Sequence, residues 1–574
     1  MNRLVYLFLL IHMNTIAQNP IKIDGFFDDW ISITKTYFDS EYDSQSTELL
    51  NFSVSNDNEY LFLRIKLGNE IDLTEAYVNP AELFIYIDAD NNSSTGYATN
   101  NIGSEYGINF FGKFIFDDSN INFVDTLSFY DLDIIPLPTI TSDEFEIAIN
   151  RSLFSDTIAI SIKESIGNDK MPDNGEVFTY TFDNSIFSNI QSTDFSKNEP
   201  THLRLMTYNV LSNGLINNNR VDEHKRIFGS ANADIITFQE CGNTDYNDVL
   251  EFLNTNPTYY PYIYPDLNSG NLTISKFPSI QSWQVANKID AELIDLPDSI
   301  YATDILILNG HPPCCGNNQG RQEHFDALIQ FIHDAKTAGG VIDLPINTPI
   351  SFSGDMNLVG YSEQYYTIVN GTISDTETYG NGGFPDWDNS SFKDQVSYLN
   401  EKNIAYTWNS SNPSVGDFPP GRLDFIFFTN SVMNCDKSFV ISTEHMSPDL
   451  LEVNNLLWSD TKNASDHFPV VADFIIEFSD EFIQNNLENN EIECFNYNIN
   501  LNQGWNLIGF GCESNKEAEV VFFPIIDHLI IAKDGFGNAY LPSWNFNGLG
   551  NLERGFGYQI KIAGDIENYN ICNH

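Results

Sequence analysis

The chain has 574 residues, too many for one hydrophobic core, and its length predicts three or four domains. Its 27 Lys and Arg residues stand against 80 Asp and Glu residues, and the net charge of −53 disfavours tight non-specific binding to long polyanions such as duplex DNA. Seven cysteines are too few for a disulfide-rich scaffold.

The first 17 residues have the pattern of a bacterial signal peptide. Arg3 supplies the positive start, residues 4–11 are apolar, and Thr15-Ile16-Ala17 forms a small-residue cleavage site before Gln18. The apolar run is too short to span a bilayer, and the sequence contains no other candidate transmembrane segment. We therefore expect a secreted or cell-surface protein.

Residues 18–187 are predicted to form a β-sandwich module. Apolar and polar residues alternate in 61–67 and 82–87, as expected for half-buried strands. Residues 21–30, together with 87–97, resemble the family 9 carbohydrate-binding-like sandwiches, and this resemblance implies a glycan partner. The polar stretch 188–200 ends in Pro and predicts a linker.

One loop of this module has the alternating oxygen groups of a calcium site, contributed by Asp88, Asp90 and Asn92. It lacks Gly at the sixth position and Glu at the twelfth, so it is not an EF-hand. The two interpretations are a Ca²⁺ loop and a simple Asn-rich turn.

Between residues 201 and 478, polar side chains recur at the ends of predicted strands. These side chains are Asn209, Glu240, His311, Asp355, Asn357, Asp424, Asp466 and His467. Strand ends converge at one edge of a sheet, so we expect a shared pocket. Carboxylates, amides and imidazoles together suit a hard divalent cation and a phosphate group, and they predict a metal-dependent phosphoester hydrolase.

In their order along the chain, these residues resemble the endonuclease/exonuclease/phosphatase superfamily. Its members include pancreatic-type deoxyribonucleases, abasic-site endonucleases, bacterial sphingomyelinases and inositol phosphatases. The resemblance implies a four-layer α/β sandwich, two packed β-sheets flanked by helices, at 201–478. With the N-terminal β-sandwich and a small C-terminal β domain, the predicted fold class is multidomain.

The resemblance also implies a role for each residue. Glu240 would be the principal Mg²⁺ (or Mn²⁺) ligand, with Asn209 beside it and Asp466 as a second metal contact. Asp355 would orient and deprotonate the attacking water, and Asn357 would steady the water or the phosphate. His467 would donate hydrogen bonds to the phosphoryl oxygens, held in one tautomer by Asp424.

His311 corresponds to the second histidine of the superfamily, a phosphate donor or leaving-group acid. Arg321 is expected to cap the site or anchor its helix, and Arg422 to pair with a carboxylate or reach phosphate. The adjacent Cys314 and Cys315 would need two more ligands for zinc, so a vicinal disulfide is the preferred interpretation.

Helices are predicted at 220–228 and 322–338. Residues 479–497 are acidic and Asn-rich and predict a second linker. The remaining residues, 498–574, predict a small β-rich module. Two of the three cysteines at the C-terminal end of the chain, Cys494, Cys512 and Cys572, are expected to pair.

The expected function is a nuclease acting on DNA or RNA. One alternative is a sphingomyelinase or phospholipase C-type phosphodiesterase, for which Phe384 and Trp387 would touch lipid. Another is a surface polysaccharide-binding protein that carries the enzyme domain as a passenger. The sequence predicts no oligomeric state and does not distinguish endo- from exo-cleavage.

Overall fold

The computed structural model describes most of the chain. The described residues are 21–39, 44, 47–71, 83–110, 112–117, 125–166, 168–173, 175–185, 193–254, 260–266, 268–340, 342–410, 413–479, 482, 498–512 and 515–572. The predicted signal peptide and most of the predicted linker 479–497 lie outside them. The chain divides into two compact units, Met1–Ser479 and Asp480–His574.

The first part of the larger unit is a sandwich of antiparallel strands. They are β1 (Thr36–Phe38), β2 (Leu49–Asn56), β3 (Tyr60–Ile71), β4 (Leu83–Asp88), β5 (Tyr97–Thr99), β6 (Ile102–Ser104), β7 (Tyr106–Asn109), β8 (Phe114–Asp117), β9 (Asp125–Ser128), β10 (Ile135–Leu137), β11 (Ser142–Asn150), β12 (Thr157–Glu164), β13 (Lys170–Met171) and β14 (Phe178–Thr181). One sheet has the order β1-β2-β3-β11-β10, and the other has the order β13-β12-β4-β7-β8-β9 with β14 beside β12.

The first residues of strand β3, 60–63, are buried on both faces. Leu61, Leu63 and Ile65 point into the core of the sandwich, whereas Tyr60 and Phe62 join an apolar cluster shared with the following domain. Because neighbouring side chains of a strand point to opposite faces, one strand can serve two cores. The sandwich is therefore packed against the rest of its unit.

The second part of this unit contains two six-stranded sheets. Their strands are β15 (Leu203–Asn209), β16 (Ile235–Gln239), β17 (Tyr262–Asp266), β18 (Asn271–Ser275), β19 (Ser279–Ala286), β20 (Ile289–Ile294), β21 (Ile305–Gly310), β22 (Ile350–Asp355), β23 (Lys393–Asp394), β24 (Asp424–Phe428), β25 (Met433–Val440) and β26 (Val470–Ile476). The orders are β17-β18-β16-β15-β26-β25 and β19-β20-β21-β22-β24-β23. In each sheet one central pair is parallel, β15–β16 and β21–β22.

Helices connect these strands. They are α1 (Val221–Ala231), α2 (Tyr246–Asn254), α3 (Asn318–Ala335), α4 (Ser362–Asn370), α5 (Thr376–Tyr379), α6 (Pro448–Val453) and α7 (Asp460–Ala464). Apolar residues of α1 pack with the first sheet and those of α3 with the second. Helix α3 begins four residues before its predicted start because the side chain of Asn317 accepts a hydrogen bond from the N–H of Gly320.

The smaller unit is β-rich, as expected. It contains β27 (Asn498–Leu501), β28 (Gly504–Gly509), β29 (Lys516–Glu517), α8 (Ala518–Phe522), β30 (Leu529–Lys533), β31 (Ala539–Leu541), β32 (Phe546–Asn547), β33 (Asn551–Leu552), β34 (Gly557–Ile562) and β35 (Ile566–Asn570). A disulfide joins Cys512 to Cys572. No helix in the described part of the chain has the length and apolar character that a membrane span requires.

Candidate active site

The two parallel strand pairs end at a common edge, where most of the predicted site residues lie. Asn209 ends β15 and Asp355 ends β22, and the amide Nδ2 of Asn209 donates to Asp355 Oδ2 at 3.0 Å. This bond joins the two sheets at the site. Convergence of strand ends, expected from the sequence, thus brings together residues 146 positions apart.

A glycine pair lets strands β21 and β22 approach closely at this edge. Gly354 has a φ of +148°, and a Cβ there would lie 1.9 Å from the carbonyl oxygen of Gly310. A side chain at position 354 would therefore collide with the neighbouring backbone. The close approach sets Asp355 next to His311, the residue that follows Gly310.

Asp355 lies at the centre of the site. In addition to the Asn209 amide, its Oδ2 faces Nε2 of His311 and Nε2 of His467, each at 3.5 Å. The side chain is nearly completely buried. One carboxylate oxygen thus receives groups from three separate strand ends, an arrangement suited to holding and deprotonating a small nucleophile.

Glu240 follows β16 in a left-handed conformation, with φ +64°. Its Oε2 accepts the backbone N–H of Ser212 at 2.6 Å, and its Oε1 faces Nδ2 of Asn209 at 3.3 Å. Burial by itself raises the pKa of Glu240, but these hydrogen bonds outweigh it and lower the pKa below the usual value. Glu240 is therefore ionised and suited to bind a cation.

The imidazole of His467 is hydrogen-bonded to Asp424. Its Nδ1 lies 2.8 Å from Asp424 Oδ2, and both side chains are buried. Burial lowers the pKa of His467, but the carboxylates of Asp424 and Asp355 outweigh burial and raise it to about 10. An imidazolium therefore faces the cavity at neutral pH.

His311 lies in a loop that several backbone contacts hold in place. The backbone N–H of His311 donates to the carbonyl of Lys288 at 2.8 Å. Burial lowers the pKa of the His311 imidazole. Asn357 Nδ2 donates to the carbonyl of Pro312 at 3.1 Å. The neighbouring Cys314 and Cys315 form the vicinal disulfide preferred from the sequence.

The two arginines support the site from behind rather than line its cavity. Arg321 is fully buried and donates from Nη1 to the carbonyls of Pro313 and Cys315, each at 2.9 Å. It therefore anchors the loop that carries His311. Arg422 is buried and forms a two-pronged pair with Asp394, 2.8 Å from Nη1 to Oδ2.

Asp466 is a half-buried carboxylate that lines the cavity. Its Oδ2 accepts from Nε1 of Trp408 at 3.3 Å, while its buried Oδ1 has no hydrogen-bond partner among the described residues. An unpartnered buried carboxylate oxygen fits a cation ligand. By contrast, Oδ1 of Asn209 accepts the N–H of Leu211 at 3.0 Å, and its amide N–H groups point at carboxylates. Asn209 therefore bridges the acids in this arrangement.

Four supporting residues were not assigned a role from the sequence. Gln239 Nε2 donates to Oδ1 of Asn309 at 2.9 Å beneath the site, and Ser212 donates its N–H to Glu240. Gln239 precedes Glu240, and Asn309 lies two residues before His311; these positions are the only signal in the sequence. Trp408 has no such neighbour in sequence.

The site opens into a cavity of about 390 Å³. Its catalytic side is lined by Glu240, His311, Asp355, Asn357, Asp466 and His467. The N-terminal sandwich also lines part of this cavity, with Phe110, Lys113, Phe129, Pro136 and Thr139. No sequence pattern predicted this contribution.

The predicted calcium loop lies apart from this cavity. Carboxylate oxygens of Asp88, Asp90 and Glu105 lie within 4.8 Å of one another, and Asp88 Oδ1 accepts the N–H of Asn92 at 2.9 Å. The Asn92 side chain instead accepts from the N–H of Ser94 at 3.2 Å. A Ca²⁺ ion there stays a prediction, with Glu105 rather than Asn92 as the third side chain.

The residues that suggested a glycan are involved in packing. Ile23 donates its N–H to the carbonyl of Asn403 at 2.8 Å, and Trp30 has 1% of its surface exposed. Trp30 Nε1 donates to Glu146 Oε2 at 2.9 Å. Its ring is therefore not available to stack on a sugar, and glycan binding stays a prediction.

Part of the chain is similar to known proteins. Residues 206–467 match the model of the Endonuclease/Exonuclease/phosphatase family. Among solved structures, zebrafish (D. rerio) TDP2 with a single-strand DNA product is 16% identical, with a TM-score of 0.32, and the match covers 48% of this chain and 99% of that one. Sphingomyelinase C from Streptomyces griseocarneus is 15% identical, with a TM-score of 0.31, covering 47% and 99%.

The human nocturnin catalytic domain with bound sulfate is 15% identical, with a TM-score of 0.30, and the match covers 49% of this chain and 96% of that domain. No curated protein matches the chain. On the family match, residues 206–467 belong to the endonuclease/exonuclease/phosphatase family.

Proposed function

We propose that this protein is a divalent-metal-dependent phosphodiesterase whose active site is the cluster around Asp355. The observation that carries the proposal is the convergence of His311, His467 and the Asn209 amide on one oxygen of that carboxylate. The catalytic domain would be the four-layer sandwich expected at 201–478, within the predicted domain arrangement.

Glu240 and Asp466 would hold the cation. Glu240 is ionised, and Asp466 offers a buried oxygen that lacks a partner among the described residues. Carboxylate oxygens favour Mg²⁺ or Mn²⁺ over softer metals. When bound, such an ion polarises a phosphoryl oxygen and neutralises charge that develops there.

The side chains of the chain supply the remaining chemistry. Asp355 accepts a proton from the attacking water, whose oxygen bonds to phosphorus as the ester P–O bond breaks. The imidazolium of His467 donates to a phosphoryl oxygen, and His311 offers a further N–H on the same face. The leaving oxygen takes up a proton from solvent water and departs as an alcohol, and Asp355 releases the proton it accepted to solvent.

Nucleic acid is the substrate expected from the sequence, and export through residues 1–17 would bring the enzyme to extracellular substrates. A specific observation favours the alternative, a phospholipase C- or sphingomyelinase-type reaction. Apart from its catalytic groups, the cavity is lined largely by apolar side chains, including Phe110, Phe129 and Leu423. Such a lining suits a substrate with an apolar group beside its phosphate.

The test is hydrolysis by the purified full chain of plasmid DNA, RNA and sphingomyelin micelles, each with Mg²⁺ and with EDTA. We expect turnover of at least one substrate that EDTA abolishes and excess Mg²⁺ restores. Asp355→Asn serves as the matched inactive control. Activity that EDTA does not change, or no turnover of any phosphodiester, would contradict the proposal.

A further inference from the structure

The cavity at the active site is built by two parts of the chain. Phe110, Phe129 and Pro136 of the N-terminal sandwich are buried and line it together with the catalytic groups, and Phe418 lines it from the catalytic fold. None of these four side chains offers a polar atom. The wall therefore excludes water from one side of the reacting phosphate and leaves an apolar surface there.

Hydrogen bonds fix this wall to the catalytic fold. Thr139 Oγ1 donates to the carbonyl of Leu358 at 2.7 Å, just after the catalytic segment 355–357. Tyr130 Oη donates to the carbonyl of Phe418, also at 2.7 Å. These hydrogen bonds therefore hold the wall in a fixed position relative to the catalytic groups.

The positive charge around the cavity is small. Two lysines line it, and both have contacts within the protein: Lys113 Nζ lies 3.5 Å from the centroid of the Phe418 ring, and Lys288 Nζ donates to the carbonyl of Ser269 at 2.6 Å. Binding of a nucleic-acid strand depends on a series of cations that follow successive phosphates. This cavity suits one phosphate group and an uncharged remainder.

Resting on the proposed function, we propose that the substrate is a phosphodiester with a hydrocarbon substituent and that the N-terminal sandwich supplies the wall that binds it. A volume of about 390 Å³ is enough for a chain of several methylenes. Phe110, Phe129 and Phe418 determine specificity, whereas the catalytic side chains act on the phosphate common to all phosphodiesters.

The experiment uses the full chain with Mg²⁺ and a series of alkyl 4-nitrophenyl phosphates from methyl to octyl, with release of nitrophenolate as the readout. Each added methylene that enters the pocket should raise kcat/KM by roughly two- to fourfold until the cavity is full. All the esters have the same leaving group, so the chemical step is the same for each. The dependence of kcat/KM on alkyl length therefore measures binding of the alkyl group in the pocket.

Two matched pairs of variants test whether the wall causes the dependence of kcat/KM on alkyl length. Phe110→Leu should reduce the octyl-to-methyl ratio about fivefold or more, whereas Phe145→Leu, which alters a ring 5.3 Å away in the same core, should leave it unchanged. Phe418→Ala and Phe384→Ala form a second pair of exposed rings, of which only Phe418 lines the cavity. This pair gives the answer if the core variants fail to fold.

The outcomes separate the two proposals. If the wild-type chain hydrolyses no member of the series and no other phosphodiester, the proposed function itself is wrong. Hydrolysis with a flat dependence on alkyl length, or an equal loss of slope in both members of a pair, would overturn the pocket alone. Faster turnover of a single-stranded oligonucleotide than of the octyl ester would show that the substrate is nucleic acid and not a hydrocarbon-substituted phosphodiester.

Discussion

Asp355 is the residue on which catalysis should depend most. Asp355→Asn keeps the size of the side chain and its place beside Asn209, but the amide cannot accept the proton of the attacking water. We expect kcat to fall by about 10²–10⁴-fold with little change in the melting temperature. Steady-state kinetics and a thermal melt of the same preparation check this, and wild-type turnover would exclude Asp355 as the base.

His467 and Asp424 make a prediction about pH. The carboxylate of Asp424 helps raise the pKa of His467 to about 10, so the wild-type imidazolium persists to high pH. Asp424→Asn removes that charge, lowers the pKa of His467 and should move the alkaline limb of the kcat profile to lower pH. An unchanged limb in Asp424→Asn would mean that a different group limits the rate at high pH.

At the scale of elements, Arg422 joins the start of β24 to β23 through Asp394. Arg422→Met leaves a buried carboxylate without its partner and should cost about 3–5 kcal/mol of unfolding free energy. The double variant Arg422→Met with Asp394→Leu should regain much of this loss. Denaturant unfolding of the two proteins measures the difference, and a stable but inactive Arg422→Met would instead indicate a role in phosphate binding.

Strand β20 carries two buried acids whose pKa values are raised. Burial and the neighbouring charges raise the pKa of Asp290 to about 7 and that of Glu292 to about 8. A carboxyl group with a raised folded-state pKa stabilises the fold below its unfolded pKa, and that stability is lost as pH rises through 7 to 8.

The melting temperature should therefore fall between pH 6 and pH 9. The side chain of the Glu292→Gln variant cannot ionise, so the melting temperature of this variant should fall less over the same interval. Differential scanning calorimetry of both proteins at several pH values makes the comparison. A melting temperature that rises over this interval would contradict the assigned pKa directions.

The sequence allowed the strands and the site of the catalytic fold to be predicted because both depend on local patterns. Apolar runs mark β15, β16, β21 and β22, and the polar residue after each run reaches the same edge. The superfamily resemblance drawn from them is confirmed. No local sequence pattern indicated the wall formed by the sandwich, because Phe110 and Phe129 reach the cavity only through packing between distant segments.

At the scale of the whole molecule, the N-terminal sandwich and the catalytic fold share one apolar cluster. Trp30 lies in it, together with Phe62 of β3 and Leu205 of β15. Trp30→Ala should cost about 3–5 kcal/mol by leaving a cavity in this shared core. Because the core is common, both parts of Met1–Ser479 should unfold in one calorimetric transition, at a lower temperature in the variant.

Two separate transitions, with only the first shifted in Trp30→Ala, would instead show that the sandwich unfolds by itself. Tyr37→Ala is the control, because Tyr37 is partly buried and packs against the core of the sandwich rather than the shared cluster. It should lower the same single transition if the two parts are cooperative.

The pairing of β15 with β26 has a consequence for biosynthesis. Leu203 lies opposite Phe474, so the central strand of the first sheet meets its neighbour only after 271 further residues have been added. At ribosomal rates this takes on the order of tens of seconds. The edge of β15 and the apolar faces that await β26 stay uncovered during that time, which makes the nascent chain a natural client for chaperones.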